Sequence, residues 1–297
     1  MELSGTYTAL VTPFAEDESI DFAALDALVD AQIAGGVAGL VPCGTTGESP
    51  SLSSEEQRDV IARVVKHAAG RAKVVAGTGT NSTRSTIERC RAAEKVGADG
   101  VMIVVPYYNK PTQDGLVRHF VEAAKAVACP VVVYNIPSRS VVDLASDTLA
   151  RIMDLAPNVI GVKEATGNVL RAQELARRFG DRLSVMSGDD ALTLPMIAVG
   201  ARGVISVTSN LLPGAVVQAT KLALAGDAGA AKKAHLALVG VHEAMFLEAN
   251  PGPVKAALAA KGAMLDVVRG PLVAASEKTR ASIREALLAW ERARGGS

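Results

Sequence analysis

Residues 131–163 read VVVYNIPSRSVVDLASDTLARIMDLAPNVIGVK, and this stretch contains the pattern that decides the fold. Its two ends are short runs of β-branched apolar residues, and an amphipathic segment near 145–156 separates them. A run that is apolar on both faces is typical of a strand covered on both sides, as in a parallel sheet. The stretch therefore predicts a strand, a helix and a second, parallel strand.

The same strand–helix unit recurs along most of the chain. Eight strands are predicted, near 6–11, 38–43, 73–77, 101–105, 131–135, 159–163, 183–187 and 203–207. The predicted helices that follow them are 22–34, 54–68, 83–96, 114–127, 145–156, 168–179, 190–199 and 214–225. Eight such units in about 225 residues are the count and length of an α/β fold of the TIM-barrel type, (β/α)8. The alternative is a doubly wound open sheet, but no glycine-rich phosphate turn follows the first strand.

The pattern changes after residue 225, where only helices are predicted, at 228–248, 253–261 and 271–293. A break with two prolines, Asn250–Pro253, separates the first two of them. We therefore expect a barrel domain over 1–225 and a small C-terminal all-helical domain over 226–297.

Composition and charge exclude several functional classes. The 297 residues carry 31 Lys and Arg against 31 Asp and Glu, so the formal net charge is zero and nothing indicates binding to nucleic acid or a membrane surface. No apolar run is long enough for a membrane-spanning helix, and no targeting segment is recognisable, so a cytoplasmic protein is expected. The three cysteines are widely spaced and the four histidines lack metal-ligand spacing, so neither a disulfide framework nor a metal site is expected.

Polar, glycine-rich segments follow the predicted strands. In a barrel of this type the active site lies at the carboxyl ends of the strands. Seven strands in a row end in such segments, including GTTGES at 44–49, PYYNKP at 106–111, YNIPSRS at 134–140 and SGDD at 187–190. These endings predict one polar mouth. The pair Asp189-Asp190 is interpreted as the cap and first turn of the next helix rather than as a catalytic pair.

Lys163 is the strongest candidate for catalysis. Among twelve lysines, it alone ends an apolar strand, VIGVK at 159–163. Desolvation disfavours an ammonium ion, and a neutral amine can attack a carbonyl group. The alternative is a structural ion pair with Glu164, but neighbouring residues of a strand point to opposite faces.

Three other groups at the mouth are weaker candidates. Tyr134 ends the neighbouring strand, where a phenol could carry protons, although a core tyrosine would look the same. Arg139 has a side chain suited to a carboxylate, although a solvated loop arginine is the usual case. Thr45 and Thr46, between two glycines, could bind an anion, although a plain turn would look similar.

Taken together, the motifs GTTGES, PYYNKP, YNIPSRS, GVKEATGN, SGDD and GVISVTSN resemble the dihydrodipicolinate synthase family. This family belongs to the pyruvate-dependent Schiff-base lyases, with N-acetylneuraminate lyase. The resemblance covers nearly the whole chain, including NPGPVK at 250–255.

The resemblance implies a reaction and roles for particular residues. Pyruvate forms an imine with Lys163, and the derived enamine attacks aspartate 4-semialdehyde, giving 4-hydroxy-tetrahydrodipicolinate for lysine and diaminopimelate biosynthesis. Thr45, Tyr134 and Tyr108 correspond to the proton relay, with Tyr108 supplied by a neighbouring subunit. The residues implied in substrate binding are Thr46 for the pyruvate carboxylate, Arg139 for the semialdehyde, Ile205 and Gly188. No metal or organic cofactor is implied, and the expected assembly is a homotetramer built as a dimer of dimers.

The resemblance also bears on regulation by lysine. Ser49, Asn81 and Tyr107 match positions that line an effector crevice in lysine-sensitive relatives. Ser54 and Gln57 stand where lysine-sensitive relatives often have histidines. Ser85 stands where those relatives have a glutamate that pairs with the effector. Weak or absent inhibition by lysine is therefore expected.

Two other functions remain open at this point. Another pyruvate aldolase of the superfamily would act on N-acetylneuraminate or a keto-deoxy sugar acid, with more hydroxyl-binding groups in the second pocket. A non-catalytic barrel that senses pyruvate or amino acids would have lost the lysine or a relay group, and none is lost.

Overall fold

The structure is a computed structural model that describes residues 2–295, and its centre is a closed barrel of eight parallel strands. The strands follow one another around the barrel in chain order, and the first pairs with the eighth. They are β1 (Gly5–Ala9), β2 (Gly39–Val41), β3 (Lys73–Gly77), β4 (Gly100–Val104), β5 (Val131–Asn135), β6 (Val159–Glu164), β7 (Ser184–Ser187) and β8 (Gly203–Ser206). The TIM-barrel prediction is confirmed, and the open sheet is excluded because the sheet has no free edge.

Helices surround the barrel and continue past it. Those between and after the strands are α1 (Phe22–Ala34), α2 (Ser54–Ala68), α3 (Thr83–Lys95), α4 (Gln113–Lys125), α5 (Pro137–Ser140), α6 (Ser146–Leu155), α7 (Val169–Phe179), α8 (Thr193–Ala198) and α9 (Pro213–Leu224). The C-terminal helices are α10 (Ala228–Ala244), α11 (Gly252–Ala260) and α12 (Glu277–Gly295). None of the helices in the described part of the chain is long and apolar enough to cross a membrane.

The boundaries of several helices differ from the prediction. The last helix begins at Glu277 rather than 271, and Thr279 and Ser276 bond to Glu248 at its start. The helix predicted at 190–199 is a short 3-10 turn, Asp190–Leu192, followed by α8. The helix predicted at 228–248 ends at Ala244, and α5 was not predicted. These errors lie at helix ends and in short helices, where periodicity carries little information.

Local sequence signals set where the helices begin. Ser53 caps α2 in a capping box: its hydroxyl accepts from the Glu56 backbone N–H, and the Glu56 carboxylate accepts from the Ser53 N–H. Ser82 caps α3 in the same position of its helix. Both caps lie just after strand ends, so they fix the loops that lead from the strands into the helices.

The barrel has an apolar interior and a separate outer core. The interior is filled by side chains from alternate strand positions: Leu3, Tyr7, Ala9, Val41, Val75, Met102, Val132, Tyr134, Met186 and Ile205. A larger cluster packs between the strands and the helices. Gly5 and Gly203 face each other where β1 meets β8, and a Cβ on Gly203 would lie 1.9 Å from the Gly5 carbonyl oxygen. The barrel therefore closes at a point where only glycine fits.

The C-terminal helices share the outer core. Leu238 and Val241 of α10, Leu258 of α11 and Trp290 of α12 belong to the same buried cluster as the barrel helices. The division at residue 225 stays a prediction.

A buried histidine, His119 of α4, predicts a loss of stability in acid. Its Nδ1 lies 2.9 Å from Thr83 Oγ1, and burial lowers the pKa of His119 from 6.5 to about 4. Between these values the unfolded chain binds a proton that the folded chain excludes, so the free energy of unfolding falls as the pH is lowered from about 6.5 to 4. The full effect is about 3 kcal/mol, because one pKa unit corresponds to about 1.4 kcal/mol.

Urea unfolding at a series of pH values measures this loss. His119→Gln, which cannot titrate, should show a shallower decline than the wild type. Part of the decline should remain, because burial also lowers the pKa of His235 and His242. Identical pH dependence in the variant and the wild type would contradict the assignment to His119.

Candidate active site

Two strand positions at the mouth of the barrel bring Lys163 and Tyr134 together. The two residues are register partners on β6 and β5, so their side chains project to the same side of the sheet. The Lys163 amine lies 4.3 Å from the centre of the Tyr134 ring, and both side chains are buried. Met186 of β7 is the register partner of Lys163 on its other side, and both Met186 and Tyr134 belong to the apolar interior of the barrel. The amine therefore sits at the top of an apolar wall, beside a phenol.

Glu164, the alternative partner of Lys163, faces away from the barrel interior. Its carboxylate accepts from Arg171 Nε at 2.9 Å, from the Thr166 backbone N–H at 2.9 Å and from Asn135 Nδ2 at 3.3 Å. Within residues 2–295, no carboxylate lies at ion-pair distance from Lys163. The structural ion pair considered from the sequence is thus excluded, and Lys163 differs from an ordinary buried lysine.

The loop after β2 brings two threonines to the mouth. Thr45 and Tyr134 line a small cavity of about 30 Å³ together with Gly79. Thr46 is buried, and its hydroxyl oxygen accepts a hydrogen bond of 3.0 Å from Asn250. The two neighbours therefore point to different surroundings, one toward Tyr134 and the other toward the C-terminal region.

Arg139 lies at the entrance, on the short helix α5. It is exposed, and it lines two adjoining cavities of about 190 and 230 Å³, both of which also include Thr45. Lys163 is buried beside the apolar interior, whereas Arg139 is exposed at the entrance. The arrangement suits a molecule with a carbonyl group at Lys163 and a second partner that reaches Arg139.

Two further residues predicted to bind substrate, Gly188 and Ile205, lie directly after β7 and within β8. Ile205 is buried in the barrel interior and pairs with Tyr7 of β1. Gly188 donates its N–H to the Glu164 carbonyl at 2.8 Å, and a Cβ at this position would lie 2.6 Å from the Ala165 side chain. A larger residue at 188 would therefore push apart the ends of β6 and β7.

The predicted relay tyrosine, Tyr108, is not part of this single-chain site. Its side chain is 88% exposed and its φ is 73°, in a loop between Pro106 and Pro111. Tyr107 lines the 190 Å³ cavity instead, together with Ser49. The Asn109 side-chain amide donates a hydrogen bond to the backbone carbonyl of Asn81. This bond connects the loop that carries Tyr108 to the loop after β3.

Sequence reasoning missed the polar groups that hold the mouth in place. Asp190 was interpreted as a helix residue, but its buried carboxylate accepts from Ser206 Oγ at 2.5 Å and from the Val207 and Thr208 N–H groups. Asp189 does cap the turn, as predicted, and burial raises its pKa above the ordinary value. Asp190 therefore links the ends of β7 and β8, and the repeated serine and threonine of SVTS were the only signal for it.

A second missed group is a buried ion pair between the β2 loop and α11. Lys255 is fully buried and its amine lies 2.5 Å from the Glu48 carboxylate. The Arg269 N–H donates to the other oxygen of Glu48 at 2.9 Å, and the Lys255 amine also donates to the Val267 carbonyl. Burial lowers the pKa of Lys255, although Glu48 opposes the shift. Residues of the C-terminal region thus fix the loop that carries both threonines.

The site has no arrangement suited to a metal ion. In residues 2–295, no three histidine, cysteine, aspartate or glutamate side chains cluster closely enough to hold one. Cys43 and Cys90 are buried, and burial raises the pKa of Cys43 to about 12 and that of Cys90 to about 11. Neither thiol is therefore a nucleophile at neutral pH.

The sequence model of the dihydrodipicolinate synthetase family matches residues 2–290. The chain belongs to the dihydrodipicolinate synthetase family. The resemblance of the chain to this family, inferred from the motifs at the strand ends, is therefore confirmed.

Individual members of the dihydrodipicolinate synthetase family are similar along their whole length. A 4-hydroxy-tetrahydrodipicolinate synthase of Sorangium cellulosum is 60% identical over 298 residues, covering 100% of this chain and 99% of the relative. The structure of the enzyme of that name from Methylacidiphilum fumariolicum superimposes with a TM-score of 0.97 at 41% identity, covering 99% and 98% of the two chains. A dihydrodipicolinate synthase from Acinetobacter baumannii, solved in complex with pyruvate, has a TM-score of 0.95 at 40% identity, covering 98% and 99%.

Proposed function

We propose that this protein is a lyase that condenses pyruvate with aspartate 4-semialdehyde to give 4-hydroxy-tetrahydrodipicolinate, a step of lysine and diaminopimelate biosynthesis. Relatives of this name at up to 60% identity support the reaction. The observation that carries the proposal is the buried, unpaired amine of Lys163 beside Tyr134. An amine without a carboxylate partner, in an apolar wall, is suited to nucleophilic attack on a ketone.

In the proposed first step, Lys163 Nζ attacks C2 of pyruvate. A carbon–nitrogen bond forms, the ketone oxygen leaves as water, and a protonated imine results. Loss of a proton from C3 gives the enamine, whose C3 attacks the aldehyde carbon of the semialdehyde and forms the new carbon–carbon bond. The amino group of the second substrate then attacks the imine carbon, which closes the ring and returns Lys163 as a free amine.

Tyr134 and Thr45 are the proposed proton carriers within one chain. Each step above moves a proton to or from the ketone oxygen, the imine nitrogen or C3. Tyr134 is the hydroxyl-bearing side chain beside Lys163, and it shares a cavity lining with Thr45. A positioned hydroxyl group of this kind typically contributes 10²–10⁴-fold to the rate.

The two substrate carboxylates have separate proposed partners. Thr46, close to the barrel interior, would bind the carboxylate of pyruvate, and Ile205 and Gly188 would shape the pocket around its methyl group. Arg139, at the entrance, would bind the carboxylate of the semialdehyde through two parallel hydrogen bonds. The two cavities that Arg139 lines, of about 190 and 230 Å³, give the larger substrate room at the entrance.

A coupled assay of the purified protein tests this function. The condensation product should form from pyruvate and aspartate 4-semialdehyde, and N-acetylneuraminate should not be cleaved. The reverse result would establish the alternative, a sugar-acid lyase of the same superfamily. Binding of pyruvate without turnover of either second substrate would favour a sensor.

Tyr108 is expected to act in the active site of a neighbouring subunit. Its exposure and its tightly bounded loop support an exchange between subunits. Tyr108→Phe and Lys163→Ala proteins, each inactive, should therefore recover activity when mixed and allowed to exchange. Equal mixing gives about half heterodimers with one complete site of two, so about a quarter of the wild-type activity should return.

The heterodimers themselves must be demonstrated for the mixing experiment to be decisive. Separately tagged proteins and isolation of the doubly tagged species supply this control. Doubly tagged dimers without activity would contradict the sharing of Tyr108.

Inhibition by lysine is expected to be weak or absent. Ser85 stands where lysine-sensitive relatives have a glutamate, and loss of a charge-assisted bond of roughly 1.5–3 kcal/mol lowers affinity by about one to two decades. Glu48 is not free to replace that glutamate, because it is buried and paired with Lys255. Titrating lysine into the assay decides the question, and half-inhibition below about 1 mM would contradict the expectation.

The cellular setting belongs to the same proposal. We expect a cytoplasmic homotetramer, a dimer of dimers, that acts without a metal or organic cofactor. The barrel over 1–225 would supply the chemistry, and the region 226–297 would support the β2 loop.

A further inference from the structure

Asn250 connects the C-terminal region to the mouth of the barrel. It lies between α10 and α11 and is 95% buried, since only 5% of its surface is exposed. Its side-chain amide donates a hydrogen bond of 3.0 Å to Thr46 Oγ1, a residue 204 positions earlier in the chain. The contact is therefore made by the fold and not by local structure.

The direction of this bond leaves the Thr46 hydroxyl hydrogen free for another partner. A threonine hydroxyl has one hydrogen to donate and two lone pairs that accept. Because Asn250 donates, one lone pair of Thr46 is occupied and its hydrogen remains available for an anion at the mouth. An ionised carboxylate only accepts hydrogen bonds, so it can accept the one that the Thr46 hydroxyl has left to donate.

The other oxygen of the Asn250 side chain, Oδ1, is buried without a hydrogen-bond partner among the described residues. An unpaired buried polar atom lowers stability, and such atoms in native proteins are frequently explained by a functional site. Asn250 also lines the 230 Å³ cavity that Thr45 and Arg139 share. The residue thus reaches both the threonine loop and the substrate cavity.

A second contact keeps the threonine loop and Asn250 in one fixed arrangement. Glu48, two residues after Thr46, pairs with Lys255, which lies five residues after Asn250. With two attachments between the same segments, the loop cannot rotate away from Asn250. The amide can therefore determine the orientation of the Thr46 hydroxyl.

We propose that Asn250 is a positioning residue, which holds Thr46 so that its hydroxyl hydrogen points to the carboxylate of pyruvate. The inference rests on the proposed function, because it names the substrate of the same site. Asn250 itself need not touch the substrate and acts through Thr46.

Two variants of Asn250 test the proposal in the full-length protein. Asn250→Ala removes the donor, and the pyruvate concentration that half-saturates borohydride trapping should rise about tenfold, while kcat changes less than about threefold. Asn250→Asp keeps the size of the side chain but accepts the Thr46 hydrogen itself. It should raise the half-saturating concentration at least as much as the alanine variant does.

A double-mutant cycle separates positioning from a general loss of structure. If Asn250 acts through Thr46, then in a Thr46→Val background the change Asn250→Ala has no further effect on half-saturation by pyruvate. Asn158→Ala is the matched control: Asn158 directly precedes β6, at the opposite end of the barrel, and its amide donates to the backbone carbonyls of Ala124, Val127 and Cys129. That control should lower the melting temperature without changing half-saturation by pyruvate.

The outcomes are distinguishable. Wild-type protein that traps no pyruvate would refute the proposed function. Normal trapping by the wild type, with unchanged half-saturation in both Asn250 variants or with fully multiplicative effects in the cycle, would refute the positioning role alone.

Discussion

Replacing Lys163 with alanine is expected to lower kcat for the condensation by about a thousandfold or more, because the variant has no amine to carry the substrate as an imine. The fold should be unaffected, since no ion pair or hydrogen bond of the described residues depends on the lysine. Lys163→Arg is a stricter form of the same test. It keeps a long, nitrogen-bearing side chain, yet a guanidinium group does not form the imine.

Trapping with borohydride identifies the reacting lysine directly. Wild-type protein incubated with pyruvate and borohydride should carry the reduced adduct on Lys163, located by mass spectrometry of the digested protein. Lys255, which is also buried, should remain unmodified because its amine is held in a closed contact with the Glu48 carboxylate and the Val267 carbonyl. An adduct on Lys110 or any other lysine, with Lys163 unmodified, would refute the assignment.

Replacing Lys255 with methionine is expected to lower the free energy of unfolding by about 3–5 kcal/mol, the usual result of leaving one buried charge without its partner. The charge left without its partner is that of the Glu48 carboxylate. Glu48 would keep only the hydrogen bond that it accepts from the Arg269 backbone N–H. For a chain of this size the melting temperature should fall by roughly 10 °C. Thermal unfolding followed by circular dichroism measures the change.

Two further variants show whether the loss comes from the buried charge. Lys73→Met breaks an ion pair of similar length with Asp99, 2.9 Å, but on the surface, where such pairs contribute about 0–1 kcal/mol. Glu48→Leu combined with Lys255→Met removes both charges and should recover much of the lost stability. A double variant as unstable as the sum of its single changes would mean that packing, not charge, causes the loss.

The sequence was sufficient for the parts of the molecule that depend on local periodicity. The apolar runs and capped helices predicted the eight strand–helix units, and the bounds of four elements, among them the helix Ser54–Ala68, agree at both ends. Lys163 could be singled out because the end of an apolar strand is an unusual place for a charged side chain. Its contact with Tyr134 followed from the order of the strands in a closed barrel.

The remaining features depend on contacts between distant residues, for which periodicity gives no signal. Lys255 sits on a predicted helix and looked like any surface lysine, until the fold placed it against Glu48. Asn250 looked like part of a helix break because its neighbours are prolines and glycine. Asp190 was correctly placed at the start of a turn, but its bonds to the end of β8 could not be anticipated from a helix-cap pattern.

The two attachments between the β2 loop and residues 250–255 have a consequence for protein engineering and for divergence within the family. A chimera that joins the barrel of one member to the C-terminal helices of another would exchange one half of each attachment without the other. Residues 44–48 and 250–269 should therefore be transplanted together. For the same reason, substitutions at positions 48 and 255 should change in concert between distant members, as a charged pair or as an uncharged one.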